Sequence, residues 1–332
     1  MKKNKGAKEF LLDHILYVAL ILMIVVIAII SPSFISTRVL SDVLIQSAPK
    51  TLLAMGMLVV IISGGMDMTV GRLAGLGAVV AGTFAQTATY YLKFWPNLPE
   101  MPLIVPILIT IALGAISGAV TGFVISKLKV PAFLAGLGLQ LILYGANLLY
   151  LKKAPNNSQP LAGFKESFTN FGTGSIGGIS YTVIVAIAVM VGVYILLNKT
   201  TLGKNIYATG GNREAAKVAG INTFKVDMFI YILSGCLAAF AGLMMAARTG
   251  SATAAYAEGY EMDAIASCII GGASFAGGIG NVPGTFLGVI IFSVINYGLT
   301  FVGLSSYWQF IVKGLIIVVA VALDMRKYSQ KK

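Results

Sequence analysis

Few residues in this sequence could do chemistry, and they are scattered. Histidine occurs once, at His14, beside the first apolar run, and the two cysteines, Cys236 and Cys268, each sit inside an apolar run. No spacing among them suggests a metal site or a disulfide framework. One histidine leaves little for a nucleophilic triad, and the cysteines read as small apolar core residues. Asp67 and Lys313 stand out instead, because each is an ionisable group at the end of, or within, an apolar run. In a membrane such a group is a functional-site hypothesis by default. Asp67 reads either as a working carboxylate or as a helix cap or ion partner of Arg72 near an interface. Lys313 follows Trp308 by a turn or so; it either snorkels toward headgroups or faces a polar pathway between subunits. Gln140, Asn147, Asn296 and Tyr297 are polar residues inside apolar runs. They could line a route for a hydroxyl-rich solute, or hydrogen-bond one helix to another.

A second group has the chemistry of a docking element. Between Asn198 and Lys225 lies a long polar stretch that includes Asn212, Arg213, Glu214, Ala215, Ala216, Lys217 and Gly220. Asn212 is a good N-cap residue. Glu214 in the first turn and Lys217 in the last suit the helix dipole, and Gly220 can end the helix in the left-handed conformation. Ala215, Ala216 and Ala219 are expected to make a flat face suited to a groove on a partner. An ordinary linker helix is the other reading. Two glycine-rich turns form a third group: Gly64, Gly65 and Gly71 around Asp67, and Gly271, Gly272, Gly277 and Gly278 further on. Glycine permits sharp turns and close helix approach in lipid; the alternative is a hinge or gate.

The elements that must position these residues follow from composition. Of 332 residues, 57% are hydrophobic and only 11% charged, with mean hydropathy +0.87. A soluble domain carries roughly 25% charged residues, so this chain cannot cover a polar surface and must use lipid. The net charge of +12 does not imply nucleic acid, because the basic residues lie at the termini and in short segments between apolar runs. That is the distribution that orients spans in a membrane.

A crossing needs about 20 apolar residues. Ten candidates follow: 15–30, 43–63, 70–92, 103–126, 132–151, 181–197, 226–247, 262–270, 284–302 and 308–323. The eighth is too short to span, so the expectation is ten crossings, or nine and a re-entrant piece before the turn 271–284. The first run is expected to remain as a span rather than act as a cleavable signal. With the N-terminus inside, Lys2, Lys3, Lys5, Lys8, Arg72, Lys127, Lys129, Lys199, Lys204, Arg213, Lys217 and Lys225 fall on the cytoplasmic side with the basic tail. Arg38, Lys50, Lys93, Lys152, Lys153, Lys165 and Arg248 fall outside. Inside exceeds outside by about two to one, as the positive-inside rule asks, and an even count keeps both termini cytoplasmic. The expected architecture is one all-α transmembrane domain over 1–332, with 198–225 as its cytoplasmic coupling loop. No Walker A pattern is present; the fragment Thr201-Leu202-Gly203-Lys204-Asn205 lacks the first glycine and the hydroxyl residue after Lys204.

Glu214-Ala215-Ala216, three residues, then Gly220 resembles the signature of permease subunits in ATP-binding-cassette importers. Gly203 to Gly220, Ser63 to Gly71 and Gly271 to Gly280 resemble the ribose and galactose branch of that family. The stretch from Asn296-Tyr297-Gly298 through Tyr307-Trp308-Gln309 and Lys313-Gly314 to Asp324 is similar to its galactose/methyl-galactoside members in particular. Pro283 departs from the pattern of the branch. The resemblance covers nearly the whole chain, most densely after Lys199. It implies a non-enzymatic conduit for a monosaccharide in a bacterial plasma membrane. It also implies a separate ATPase that binds ATP and magnesium, a soluble sugar-binding protein outside, a second copy of the permease and no cofactor on this chain. Residues 212–220 would be the coupling helix. Two alternatives come from other classes. An ion-driven secondary transporter would need coupling groups in the membrane, for which Asp67 and Lys313 are the candidates; its internal repeat is faint, between 61–71 and 269–277. A membrane-embedded enzyme would need a cluster of titratable residues at depth.

Overall fold

In a computed structural model, residues 24–29 and 31–329 are described. Most of the first expected span, with His14 and the N-terminal lysines, lies outside the described residues, as do Lys331 and Lys332 of the tail. Residues 24–29 are helical. The helices that follow are α1 (Thr37–Ile62), α2 (Val70–Ala85), α3 (Ile104–Ser126), α4 (Ala132–Leu151), α5 (Glu166–Thr173), α6 (Tyr181–Lys199), α7 (Thr201–Gly211), α8 (Arg213–Val218), α9 (Thr223–Thr249), α10 (Tyr260–Ile270), α11 (Val282–Phe301) and α12 (Ser306–Ser329). Between α5 and α6, strands β1 (Ser175–Ile176) and β2 (Ile179–Ser180) pair antiparallel, with Ser175 opposite Ser180. Among the described residues, six helices are long and apolar enough to cross a membrane: α1, α3, α4, α6, α9 and α11. The chain is a polytopic helical membrane protein.

Burial sorts these helices. In its most apolar window α1 is 83% buried, whereas α3, α4 and α6 are 28%, 17% and 22% buried. Leu141, Ile142, Leu149, Ile116 and Ile195 point outward from the last three; such side chains belong against lipid. Helix α9 packs on α1, α2 and α3. Small residues set that approach. Gly114 and Gly118 of α3 lie against the backbone of Tyr231 to Cys236, and a Cβ at Gly242 would overlap the carbonyl of Ala74. In lipid, where apolar burial gives helices no reason to associate, close backbone contact of this kind holds them together.

Two helices begin part-way across. The 26-residue α1 and the 27-residue α9 are each long enough to cross fully. Asp67, just before α2, accepts a hydrogen bond from Ser234 Oγ (2.7 Å) near the middle of α9. The extended stretch after α9 runs along α2: Ala252 lies by Gly82, and the carbonyls of Tyr256 and Ala257 face Gly75 and Gly71. It enters α10 beside the middle of α1, where Lys50 reaches Asp263 (3.4 Å). The N-termini of α2 and α10 therefore meet at mid-span, each preceded by non-helical backbone buried in protein, as lipid requires.

Three expectations about the elements need correction. The third span stops at Ala85 rather than Leu92. Gln86 turns to extended backbone, accepts from Phe94 N (2.7 Å) and donates to Ala162 O (2.9 Å), which folds 87–103 into a cap with 152–180. Lys50 and Arg72 do not fall on opposite faces; both sit near the middle of the long helices, held by acidic partners. The segment 198–225 holds two helices, α7 as well as α8, because Thr200 caps α7 by accepting from Gly203 N (3.0 Å). Pro283 falls in the first turn of α11, where its missing N–H costs nothing.

Candidate functional site

Helix α8 is built as its sequence dictates. Asn212 Oδ1 accepts from Ala215 N (2.9 Å). Lys217 Nζ lies 2.7 Å from Glu214 Oε1, and that hydrogen bond, with the charge of Lys217, holds the exposed Glu214 carboxyl below the usual range. Gly220 takes φ +83° and its N–H reaches Lys217 O (2.9 Å). The expected flat alanine face is split, however. Ala216 is buried at 4% exposure, while Ala215 and Ala219 face outward. Residues two apart on a helix point about 200° from each other, so Ala216 turns inward as Glu214 and Val218 turn out. Val218 is 89% exposed and is the apolar group that the outer face of α8 presents; an aliphatic residue between Lys217 and Ala219 was the available signal.

Beneath α8 the chain ties several segments together. Arg213 Nη2 pairs with Asp227 Oδ2, whose side chain is 3% exposed. Both line a cleft of ≈240 Å³ with Lys129, Tyr231, Gly64 and Gly65. Gly278 N donates to Ile62 O (2.8 Å), and Tyr207 OH of α7 donates to Gly280 O (2.8 Å). A Cβ at Gly277 would lie 2.6 Å from Gly210 O and 3.0 Å from Gly64 Cα. The two glycine-rich turns thus meet each other and the C-terminus of α7. Gly64, Gly65, Gly277 and Gly278 come together there. Gly71 lies apart, beside Glu261, and Gly271 packs on Gly284. Gly272 has φ +89° and open space around it.

The ion pair with Arg72, one of the readings open for Asp67, does not form. Asp67 Oδ1 accepts from Thr69 Oγ1 (2.6 Å) and Thr69 N (3.1 Å), the local turn chemistry of a short acidic side chain. It is 1% exposed and level with the middle of α9 rather than with an interface. Arg72 instead reaches Glu258 (2.7 Å) and stacks over the Tyr144 ring at 4.1 Å. Lys313 does not snorkel; its Nζ lies 3.0 Å from Asp263 Oδ1. Asp263 is 3% exposed and shared with Lys50. Sequence reasoning missed Glu258, Glu261 and Asp263, although three acids within six residues at the head of an apolar run were there to be read.

The five polar residues considered as pathway lining are not gathered in one place. Gln140 is half-buried on α4. Asn147, on the same helix, is 1% exposed and neither of its amide atoms has a partner among the described residues. Asn296 on α11 is in the same condition, while Tyr297 OH donates to Asp42 Oδ2 (3.0 Å). Helix α4 packs on α2 and α3, and α11 on α1 and α10.

Comparisons with known proteins agree with this architecture. A family model described as branched-chain amino acid transport system / permease component matches residues 39–321. The chain is 43% identical over 333 residues to the galactose/methyl galactoside import permease protein MglC of Escherichia coli, covering 99% of this chain and 98% of that protein. It is 42% identical to the protein of the same name from Haemophilus influenzae, covering 100% of this chain and 99% of that one. It is 34% identical over 314 residues to the ribose import permease protein RbsC of Bacillus subtilis, covering 94% and 92%. No solved structure matches. With the family match running from α1 to α12 and these relatives aligning end to end, the chain belongs to the branched-chain amino acid transport system / permease component family.

Proposed function

We propose that this chain is the membrane permease subunit of an ATP-driven importer of a monosaccharide, of the galactose/methyl-galactoside or ribose kind, in a bacterial plasma membrane. The observation that carries the reading is end-to-end identity of 43% to a galactose/methyl galactoside import permease. The family description names branched-chain amino acids. Sugar is favoured because the full-length relatives, at 33% to 44% identity, are named for galactosides or ribose.

In this reading the whole of 1–332 is one transmembrane domain with ten crossings, α2 and α10 being interrupted ones, and both termini are cytoplasmic. Residues 198–225 are the coupling loop. Asn212 to Gly220 dock on a separate ATP-binding subunit, which holds ATP and magnesium and hydrolyses the nucleotide. A soluble sugar-binding protein delivers solute to the opposite end, and two copies of the permease enclose the path. The chain's own task is mechanical: two packings of its helices, biased from both ends. Movement of α8 reaches α9 through Arg213–Asp227. It reaches the junction of Gly64, Gly65, Gly277 and Gly278 through α7, so that junction is the hinge or gate.

The test is ATP-dependent uptake of galactose, methyl galactoside and ribose in proteoliposomes. These would hold this chain with its ATP-binding and sugar-binding partners, as wild type and as Glu214→Arg. The expected result is uptake lost in the variant together with co-purification of the ATP-binding subunit. Wild-type uptake that ignores ATP and follows an imposed ion gradient would overturn the reading.

A further inference from the structure

One charged pair sits where lipid cannot be its surroundings. Glu258 is joined to Arg72 at 2.7 Å, and its side chain is 59% exposed on the protomer surface. Arg72 lies in the first turn of α2, beside the middle of α9, since Asp67 just before it bonds Ser234. By a second route, Asp263, in the first turn of α10, bonds Lys50 near the middle of α1. Both routes place the Glu258–Arg72 pair near mid-span. An ionised carboxylate exposed to hydrocarbon at that depth is strongly disfavoured, and such groups face a protein interior or water. The neighbouring surface is also unlike the lipid-facing helices. The stretch 255–262 turns Ala255, Glu258 and Met262 outward.

The chemistry of this patch suits a neutral solute. The positive ends of α2 and α10 are already answered by the chain's own carboxylates, Asp67 before α2 and Glu261 and Asp263 in the first turn of α10. No free helix end invites an anion. What the face displays is the Glu258 carboxylate, 59% exposed, a group that accepts hydrogen bonds from hydroxyls; behind it Arg72 Nη1, Glu261 Oε2 and both amide atoms of Asn147 are enclosed and have no partner among the described residues.

We infer that the mid-span face carrying Glu258 and Arg72 is a wall of the hydrated path, and that it hydrogen-bonds a neutral polyhydroxylated solute as it crosses. This rests on the transport reading above and assigns it a place in the molecule. Glu258 and Arg72 neutralise each other, so the wall repels neither charge sign, while the exposed Glu258 carboxylate keeps lone pairs that accept from hydroxyls.

The test uses the full importer in proteoliposomes. Cys236 and Cys268 are first replaced by alanine in a background that retains uptake, and then Ala255→Cys, Met262→Cys and, as a lipid-facing control, Leu141→Cys are made singly. A membrane-impermeant cationic methanethiosulfonate is the probe, because the reactive thiolate forms only where water reaches it. Positions 255 and 262 are expected to react faster than 141 by on the order of tenfold or more, and galactose supplied with the sugar-binding partner is expected to slow them. Reactivity at 255 and 262 no greater than at 141, in a preparation that transports sugar, overturns the inference and leaves the importer reading intact. Reactivity at both positions with no sugar taken up sinks the importer reading and supports the hydrated wall. Glu258→Leu separates the cases further. A variant that inserts normally, keeps its ATP-binding partner and transports at the wild-type rate shows a lipid-facing position and overturns the inference. Loss of uptake with Glu258→Leu, and retention of part of it with Glu258→Gln, supports it.

Discussion

At the scale of single residues, the strongest electrostatic commitment is Asp263. It is 3% exposed and holds two lysines, Lys50 and Lys313. Three charges at mid-span are tolerable because each lysine has the same carboxylate, and Lys50 also lies 4.9 Å from the Tyr260 ring. The cost of removing one member depends on what it leaves behind. Lys50→Met or Lys313→Met leaves Asp263 with the other lysine, and each is expected to cost less than loss of the shared anion. Asp263→Asn leaves two enclosed ammonium groups without an anion, and breaking a buried pair in that way costs about 3–5 kcal/mol. Thermal unfolding midpoints of the three variants in detergent check the order; an Asp263→Asn variant as stable as either lysine variant would refute it.

At the scale of elements, the junction of the two glycine-rich turns makes a sharper prediction than either turn alone. Gly272 and Gly277 both have positive φ, at +89° and +82°. Around Gly272 there is open space, whereas a Cβ at Gly277 would meet Gly210 O at 2.6 Å and Gly64 Cα at 3.0 Å. Gly272→Ala is therefore expected to lose only the left-handed strain, about 1–2 kcal/mol. Gly277→Ala adds a backbone collision and is expected to exceed that, in the range of about 3 kcal/mol or more. Comparison of the two unfolding midpoints tests whether the turns are held against α7. Equal losses would mean that the turns are strained but not joined.

At the scale of the molecule, the arrangement sets one end against the other. The end with α8 gathers Lys129, Arg213, Lys217 and Lys225, while the opposite end is capped by residues 87–103 and 152–180. The proposed orientation places the first in the cytoplasm. Val218, 89% exposed, and Tyr91, 83% exposed, mark the two ends. In a background free of Cys236 and Cys268, Val218→Cys is expected to react with an impermeant thiol reagent only in inside-out vesicles, and Tyr91→Cys only in right-side-out ones. The reverse pattern would invert the molecule.

Much of this was open to reading in the residues. A charge content of 11% and continuous apolar runs of about 20 residues determined a helical membrane protein, because a run of that length satisfies its own backbone in lipid as a helix. Local rules also located the Asn212 cap, Glu214 in the first turn, Lys217 in the last turn and the Gly220 stop, since a helix end is decided by the few residues that bond to it. The same rules could not find partners distant in the chain: Ala216 turns inward, Arg72 pairs with Glu258, and Lys313 reaches Asp263. A periodic pattern says which residues share a face, but not which other helix that face meets. Tertiary packing alone decided that α2 and α10 start at mid-span with their N-termini together. It alone gathered Lys50, Arg72, Glu258, Asp263 and Lys313 into one charged layer, because an intramembrane charge finds its partner through space and not along the chain.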